Sequence, residues 1–207
     1  MKKLFVLIAA VMGMNAYGQL LLPAYVQQHA LQLSSEYKEL SNRTIACVVD
    51  FSKPSYEKRL WIINLKTGEC LLHTWVAHGK GTGRTAEASI FSNDSGSNCS
   101  SLGVFIPKNQ FNGKHGLSLR LVGLDWGIND QAEARGIIFH AAPYVTSQNA
   151  QVNKRQGNSQ GCFAVPTEDI KTVVKLLENT NAFIWAFKQL PSIPALALPQ
   201  LTSQVTK

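Results

Sequence analysis

Apolar residues recur along this chain in two different rhythms, and the point where one gives way to the other divides it. Val26, Ala30, Leu33, Tyr37 and Leu40 fall at spacings of four and three, which lays one apolar stripe along a helix. The pattern predicts that helix from Pro23, a residue suited to a first helical turn, to about Leu40. A stripe of this width has to pack on a larger body. From Thr44 the rhythm becomes that of strands. Segments 44–51, 59–65 and 70–77 are rich in branched and aromatic residues, and Lys66-Thr67-Gly68-Glu69 supplies the turn between the last two. Folding the segments about their turns sets Cys47 opposite Ile63, and Ile63 opposite Leu72.

Residues 92–103 interrupt the strands with a run made almost wholly of Ser, Asn, Asp and Gly. Such a loop inside a compact domain is often the rim of a site. Strands are predicted to resume at 103–106, 117–122 and 136–140. A long stretch, 141–158, then ends in Lys154-Arg155-Gln156-Gly157-Asn158. The next helix is predicted at 167–178, with Ile170, Val173, Val174 and Leu177 as its buried face. Glu168 and Asp169 fall in its first turn, and Asn179 at its end. Segment 182–187 is a last buried strand, and the tail from Pro191 is loosely held. The result is a mainly β domain with a helix on each flank.

Residues 1–18 belong to neither rhythm. Lys2-Lys3, the apolar run 4–14 and the small residues around Ala16-Tyr17-Gly18 form a secretory leader cut after Gly18. The apolar run is about half the roughly 20 residues that span a bilayer, so stable membrane insertion is not expected. This gives a leader at 1–18, a packed helix at 19–43, the catalytic domain at 44–190 and a tail at 191–207. The product is exported, either periplasmic or associated with a cell wall.

Composition narrows the picture further. With 207 residues, 45% hydrophobic and 16% charged, the chain suffices for one well-buried domain and is neither disordered nor fibrous. The formal charge of +7 falls by two, to +5, once Lys2 and Lys3 leave with the leader. That surplus suits a polyanionic surface, but no Lys/Arg block with interleaved aromatics points to nucleic acid. The four cysteines lack the CxxC spacing of a zinc ribbon. Cys47 and Cys70 fall two strands apart, about 10 Å on strand spacing, too far to bridge, and act as small buried hydrophobes.

The chemistry concentrates at Ser159-Gln160-Gly161-Cys162-Phe163-Ala164-Val165, with His140 upstream at the end of an apolar strand. A free thiol is mostly protonated near neutral pH, and an adjacent imidazole can take its proton and later return it to a leaving amine. Gly161 before the nucleophile allows close approach of substrate and leaves backbone N–H groups for an oxyanion. On composition alone, a buried structural cysteine is the stronger reading.

An ordered series of motifs resembles the YkuD-type L,D-transpeptidases, and within them the murein L,D-transpeptidase catalytic domain. It consists of Asp50-Phe51-Ser52-Lys53-Pro54-Ser55, Arg59-Leu60, His78-Gly79-Lys80-Gly81, Phe91-Ser92-Asn93, Ser100-Ser101-Leu102-Gly103, Gly127-Ile128-Asn129 through Arg135, then His140 and Ser159-X-Gly161-Cys162. The resemblance spans about residues 44–188. It implies a β-sandwich or barrel-like domain whose Cys162 attacks the meso-diaminopimelate–D-alanine bond of peptidoglycan tetrapeptide stems, with His140 as base and then acid. A diaminopimelate side-chain amine of another stem then takes the acyl group to give a 3→3 cross-link; an amine on a protein is an alternative acceptor, and water in its place makes an L,D-carboxypeptidase. No metal or organic cofactor is implied. Cys162, His140, Ser159 and Gly161 are the implied catalytic set, with Ser159 orienting the loop or accepting a hydrogen bond from His140.

His78, Ser101, Asn129, Arg135, Arg155 and Asn158 are the implied substrate contacts, although His78 could equally stabilise a turn and Arg135 anchor a loop. Two positions depart from the family pattern. Gln160 stands where His is usual, and Ala164 where Arg or Asn is usual. No arginine follows Arg155, which argues against a sortase and leaves Arg135 or Arg155 to grip a substrate carboxylate. Papain-like peptidases order Cys before His, the reverse of this chain. His29, His73 and His115 are assigned to surface or core. A non-catalytic wall-binding module, with Cys162 inert or bridged to Cys99, is the alternative from another class.

Overall fold

A computed structural model describes residues 23–178 and 180–189. The leader at 1–18, the tail from Pro191 and the helix end at Asn179 lie outside the described residues. The elements run α1 (Ala24–Glu36), β1 (Ile45–Asp50), β2 (Leu60–Asn64), β3 (Cys70–Thr74), β4 (Gly103–Gly113), β5 (Gly116–Gly123), β6 (Ile138–Ala141), β7 (Phe163–Val165), α2 (Ile170–Leu177) and β8 (Ala182–Phe187). All eight strands join one sheet in the order β3-β2-β1-β8-β4-β5-β6-β7. Its two edges approach each other, because Ala77, just past β3, bridges to Ala164 on β7, and Gly79 bridges to Ser159. The sheet is therefore curled and barrel-like.

Strands β1 and β8 lie side by side in parallel register, with Cys47 beside Ile184 and Val48 beside Trp185. Their side chains alternate between two cores, as the pleat requires. Ala46, Val48, Phe183, Trp185 and Phe187 face one core together with Val26, Ala30, Leu33 and Leu40 from the α1 region. Cys47, Val49, Ala182 and Ile184 face the other, where α2 contributes Ile170, Val173, Val174 and Leu177 beside Phe51, Phe105 and Phe163. Each helix covers one side of the sheet. Among the described residues no helix is long and apolar enough to cross a membrane.

Four expectations need adjustment. Helix α1 stops at Glu36, and Tyr37 turns extended so that its hydroxyl can donate to Asp125 Oδ1 at 2.8 Å. Leu40 stays buried on a short 3₁₀ turn beyond it. In the first hairpin Cys47 pairs with Ile62, not Ile63, and Ile62 with Leu72. The closing pair is Asp50 with Arg59, whose backbone bond (2.9 Å) sets the register one residue from the expected one. A bulge at Ile62/Ile63 then brings Ile63 opposite Cys70. Cys47 and Cys70 thus face different cores, and all four cysteines are free thiols. Asp169 lies before α2 rather than in its first turn, where its carboxylate accepts from the Thr74 hydroxyl. Lastly, β4 runs on to Gly113, well beyond the predicted 106, and pairs along an exposed two-stranded ribbon with β5, which begins at Gly116, one residue before the predicted 117.

Candidate active site

His140 lies on β6, between β5 and β7, with Ser118 and Ala164 as its register partners. Only 2% of its surface is exposed. Its Nδ1 is 2.8 Å from the Ala141 carbonyl, an atom that can only accept. Nδ1 therefore carries the proton, and Nε2 keeps its lone pair. Burial holds the imidazole below its ordinary range; the Ala141 bond opposes this, while His115 and Lys114 add to it.

Cys162 enters β7 from a tight turn built by the residues before it. Ser159 Oγ donates to the Cys162 carbonyl (2.7 Å) and accepts from the Gly161 N–H (3.1 Å), pinning the turn at both ends. Gly161 has φ +121°, and a Cβ there would stand 2.8 Å from the Cys99 carbonyl oxygen. Only glycine fits this conformation and this gap. The sulfur stands 3.5 Å from the Gly136 carbonyl. Burial pushes the Cys162 thiol up, against the pull of the Ile138 N–H, Lys114, Arg135 and its own N–H. With the thiol raised and the imidazole lowered, both shifts favour the neutral thiol and the neutral imidazole over an ion pair.

Cys162 and His140 line one cleft of about 430 Å³, together with Lys114, His115, Arg135 and Tyr144. Loop residues Ser95, Gly96 and Asn98 form its rim, as the polar run had indicated. Ser159 and Asn158 also border it. Asn158 Oδ1 accepts from Arg155 (3.0 Å), and its amide donates to the Gly83 carbonyl (3.0 Å).

Other residues singled out in the sequence serve the walls rather than the cleft. His78 is buried, with Nδ1 accepting from Arg59 at 2.8 Å and Nε2 donating to the Gly83 carbonyl at 3.0 Å. It stabilises its turn and does not line the cleft. Asn129 is fully buried; its amide donates to the Leu102 and Val104 carbonyls, and its oxygen accepts from the Asp125 N–H. Ser101 is buried between the Ser92 carbonyl and Arg135. Both are spent on loop structure, so neither is available to substrate. Arg135 borders the cleft but anchors its rim, donating to Ser92 O (2.7 Å), Ser101 Oγ (2.6 Å), Ser97 Oγ (3.2 Å) and Cys99 O (2.7 Å). Ala164 is buried on β7, and its carbonyl accepts from Ala77 N–H.

The sequence reading missed Lys114 and Tyr144, and it left His115 among surface and core residues. Instead, the His115 ring stacks on His140 with centroids 4.2 Å apart and planes at 22°. The available signal was Asn112-Gly113-Lys114-His115-Gly116, a turn motif ahead of the apolar-polar alternation 117–122. His29 is buried and His73 half-buried, stacked on Trp185 and Trp61 respectively.

Solved structures with this fold include the helical cell shape determining protein Pgp2 from Campylobacter jejuni, in a mutant form. It is 11% identical, with a TM-score of 0.51 and coverage of 82% of this chain and 58% of its own. An L,D-transpeptidase from Mycobacterium smegmatis is 12% identical (TM-score 0.41, 70% of this chain, 59% of its own). Bd1075 of Bdellovibrio bacteriovorus is 13% identical (TM-score 0.44, 72% of this chain, 49% of its own). The chain thus spans less than two thirds of the length of these structures. No curated protein matches it. The family model described as the L,D-transpeptidase catalytic domain, of the YkuD type, matches residues 21–187. With that match running from the α1 helix to the last strand, the chain belongs to the L,D-transpeptidase catalytic domain family.

Proposed function

We propose that this protein is a cysteine-dependent peptidoglycan L,D-transpeptidase that acts outside the cytoplasm. The observation that carries the reading is the pairing, in one cleft, of Cys162 with a buried His140 whose Nδ1–H is fixed on Ala141 and whose Nε2 is left to accept. In this reading the donor is a tetrapeptide stem. As Cys162 Sγ attacks the carbonyl of the L-centre of meso-diaminopimelate, its proton passes to His140 Nε2. With the neutral pair favoured, this transfer accompanies attack instead of preceding it. The Gly161 N–H is spent on Ser159, so the Cys162 N–H is the amide of this turn left for the oxyanion. His140 then returns its proton to the departing D-alanine amine, leaving a thioester on Cys162. A diaminopimelate side-chain amine of a second stem attacks that thioester and gives the 3→3 cross-link, whereas an amine on a protein would attach that protein to the stem.

The test is mass spectrometry of purified tetrapeptide muropeptides incubated with wild type and with Cys162→Ala. Wild type is expected to release D-alanine and form tripeptide-linked dimers, and Cys162→Ala to do neither. Tripeptide without dimer at every stem concentration would replace the transpeptidase with an L,D-carboxypeptidase. Equal product from Cys162→Ala would remove the cysteine from the reaction, and unchanged stems bound by both proteins would favour a non-catalytic wall-binding module.

A further inference from the structure

The cleft holds a charge that the catalytic pair does not use. The β4–β5 ribbon closes on Lys114-His115, between the paired residues Gly113 and Gly116. Because Ser118 of β5 is in register with His140 of β6, the ribbon tip comes to stand beside the catalytic imidazole, and His115 stacks on it. Lys114 is exposed and lines the cleft with Cys162.

One lysine and one arginine border this cleft, Lys114 and Arg135. Arg135 has both terminal nitrogens committed to the loop around Ser92–Cys99. Arg155 is not part of the lining and donates to Asn158 and to the Gln156 carbonyl. Ala164 is buried in β7 and offers no polar side chain. Lys114 has no ion-pair partner among the described residues. The donor stem, meanwhile, brings carboxylates close to the scissile bond: one ends the departing D-alanine, and one sits on the D-centre of diaminopimelate. An anion held at the cleft needs a cation with free N–H donors, and Lys114 meets that need.

We propose that Lys114, carried on the β4–β5 ribbon tip, binds a carboxylate of the acyl donor and so selects anionic stems for attack by Cys162. This rests on the transpeptidase reading, and the His115–His140 stack fixes where the tip stands. An ammonium group this near the pair also favours the neutral imidazole that must act as base.

Binding is measured by calorimetry on Cys162→Ala and on Cys162→Ala combined with Lys114→Met. The ligands are a free-acid tetrapeptide stem, the same stem with a C-terminal carboxamide, and the stem amidated on the diaminopimelate carboxylate. Lys114→Met is expected to weaken the free-acid stem at least about fivefold, less so at high salt. The loss disappears with the one amide that removes the carboxylate Lys114 holds, which identifies it, and Lys114→Arg retains most of the affinity. Equal affinity with and without Lys114, or an equal loss for all three stems, overturns the proposal; a stem that fails to bind Cys162→Ala overturns it too. D-alanine release by the protein with Cys162 intact is scored separately. Its absence alongside Lys114-dependent binding would sink the catalytic reading and leave Lys114 standing, whereas its presence alongside Lys114-independent binding would do the reverse.

Discussion

Two histidine regions lie on opposite sides of the Ser159–Cys162 turn, and their side chains are almost equally buried. His78 is 1% exposed and His140 2%. In the His78 region every polar atom has an assigned partner. Arg59, fully buried, donates to the Val76 and Lys53 carbonyls and to His78 Nδ1, and His78 closes on Gly83. Desolvation and the Arg59 charge hold His78 down to about 4, so it stays neutral at any ordinary pH. His140 also gives one nitrogen to a carbonyl, but its second nitrogen has no partner among the described residues, and the ring lines the cleft. Burial favours the neutral form of both imidazoles. Only one of them keeps an uncommitted lone pair, which is what the proposed base requires.

Three measurements break or sharpen that contrast. The largest effect is expected for His140→Ala, which should lower kcat/KM for D-alanine release by about 100- to 10,000-fold. Its melting temperature should stay within a few degrees of wild type. A His78→Ala variant that loses as much activity while keeping the same stability would erase the distinction. Next comes Arg59→Met, which leaves the Val76 and Lys53 carbonyls and His78 Nδ1 unpaired in the interior. Urea unfolding should register a loss of about 3 kcal/mol or more, since each orphaned buried group costs about 1–3 kcal/mol. A loss below about 1 kcal/mol would show that the region relaxes around the substitution.

The third effect is the smallest. A histidine whose folded pKa lies below its unfolded value of about 6.5 takes up its proton more readily when unfolded. Its contribution is fully present above pH 6.5 and is lost as pH falls from there toward 4. For His78 the loss across that window should reach up to about 3 kcal/mol, and His78→Gln should flatten most of the slope. The remaining slope belongs to groups such as His140, which shifts in the same direction. An unchanged slope in His78→Gln would move the linkage elsewhere.

What the sequence revealed follows from burial. Strands β1, β2 and β8 are buried on both faces, so they are nearly continuous apolar runs and were legible, as was the stripe Ile170, Val173, Val174 and Leu177. The ribbon beyond Pro107 was not, because Lys108, Asn109 and Gln110 are exposed and leave no apolar alternation to detect. Cys162 and His140 were found from a local motif and its order. Lys114 and His115 reach the cleft through the pairing of β5 with β6, a contact that no short segment encodes. Asn129 and Ser101 lie buried in loop hydrogen bonds away from the cleft lining, and a polar residue that ties two loops together looks the same in one dimension as one that touches substrate.

The position of β8 bears on how the molecule assembles. It is the last strand among the described residues and lies between β1 and β4, parallel to one and antiparallel to the other. Until it is added, β3-β2-β1 and β4-β5-β6-β7 are paired only through the isolated bridges Ala77–Ala164 and Gly79–Ser159, and β1 and β4 each expose an open edge. The contacts that join them link residues such as Val48 and Trp185, far apart in the chain, so the loop-closure cost falls before their stabilisation is gained. A chain emerging from its N-terminus therefore stays unfinished until Phe187 is available, and remains open to chaperones for nearly the whole of its synthesis.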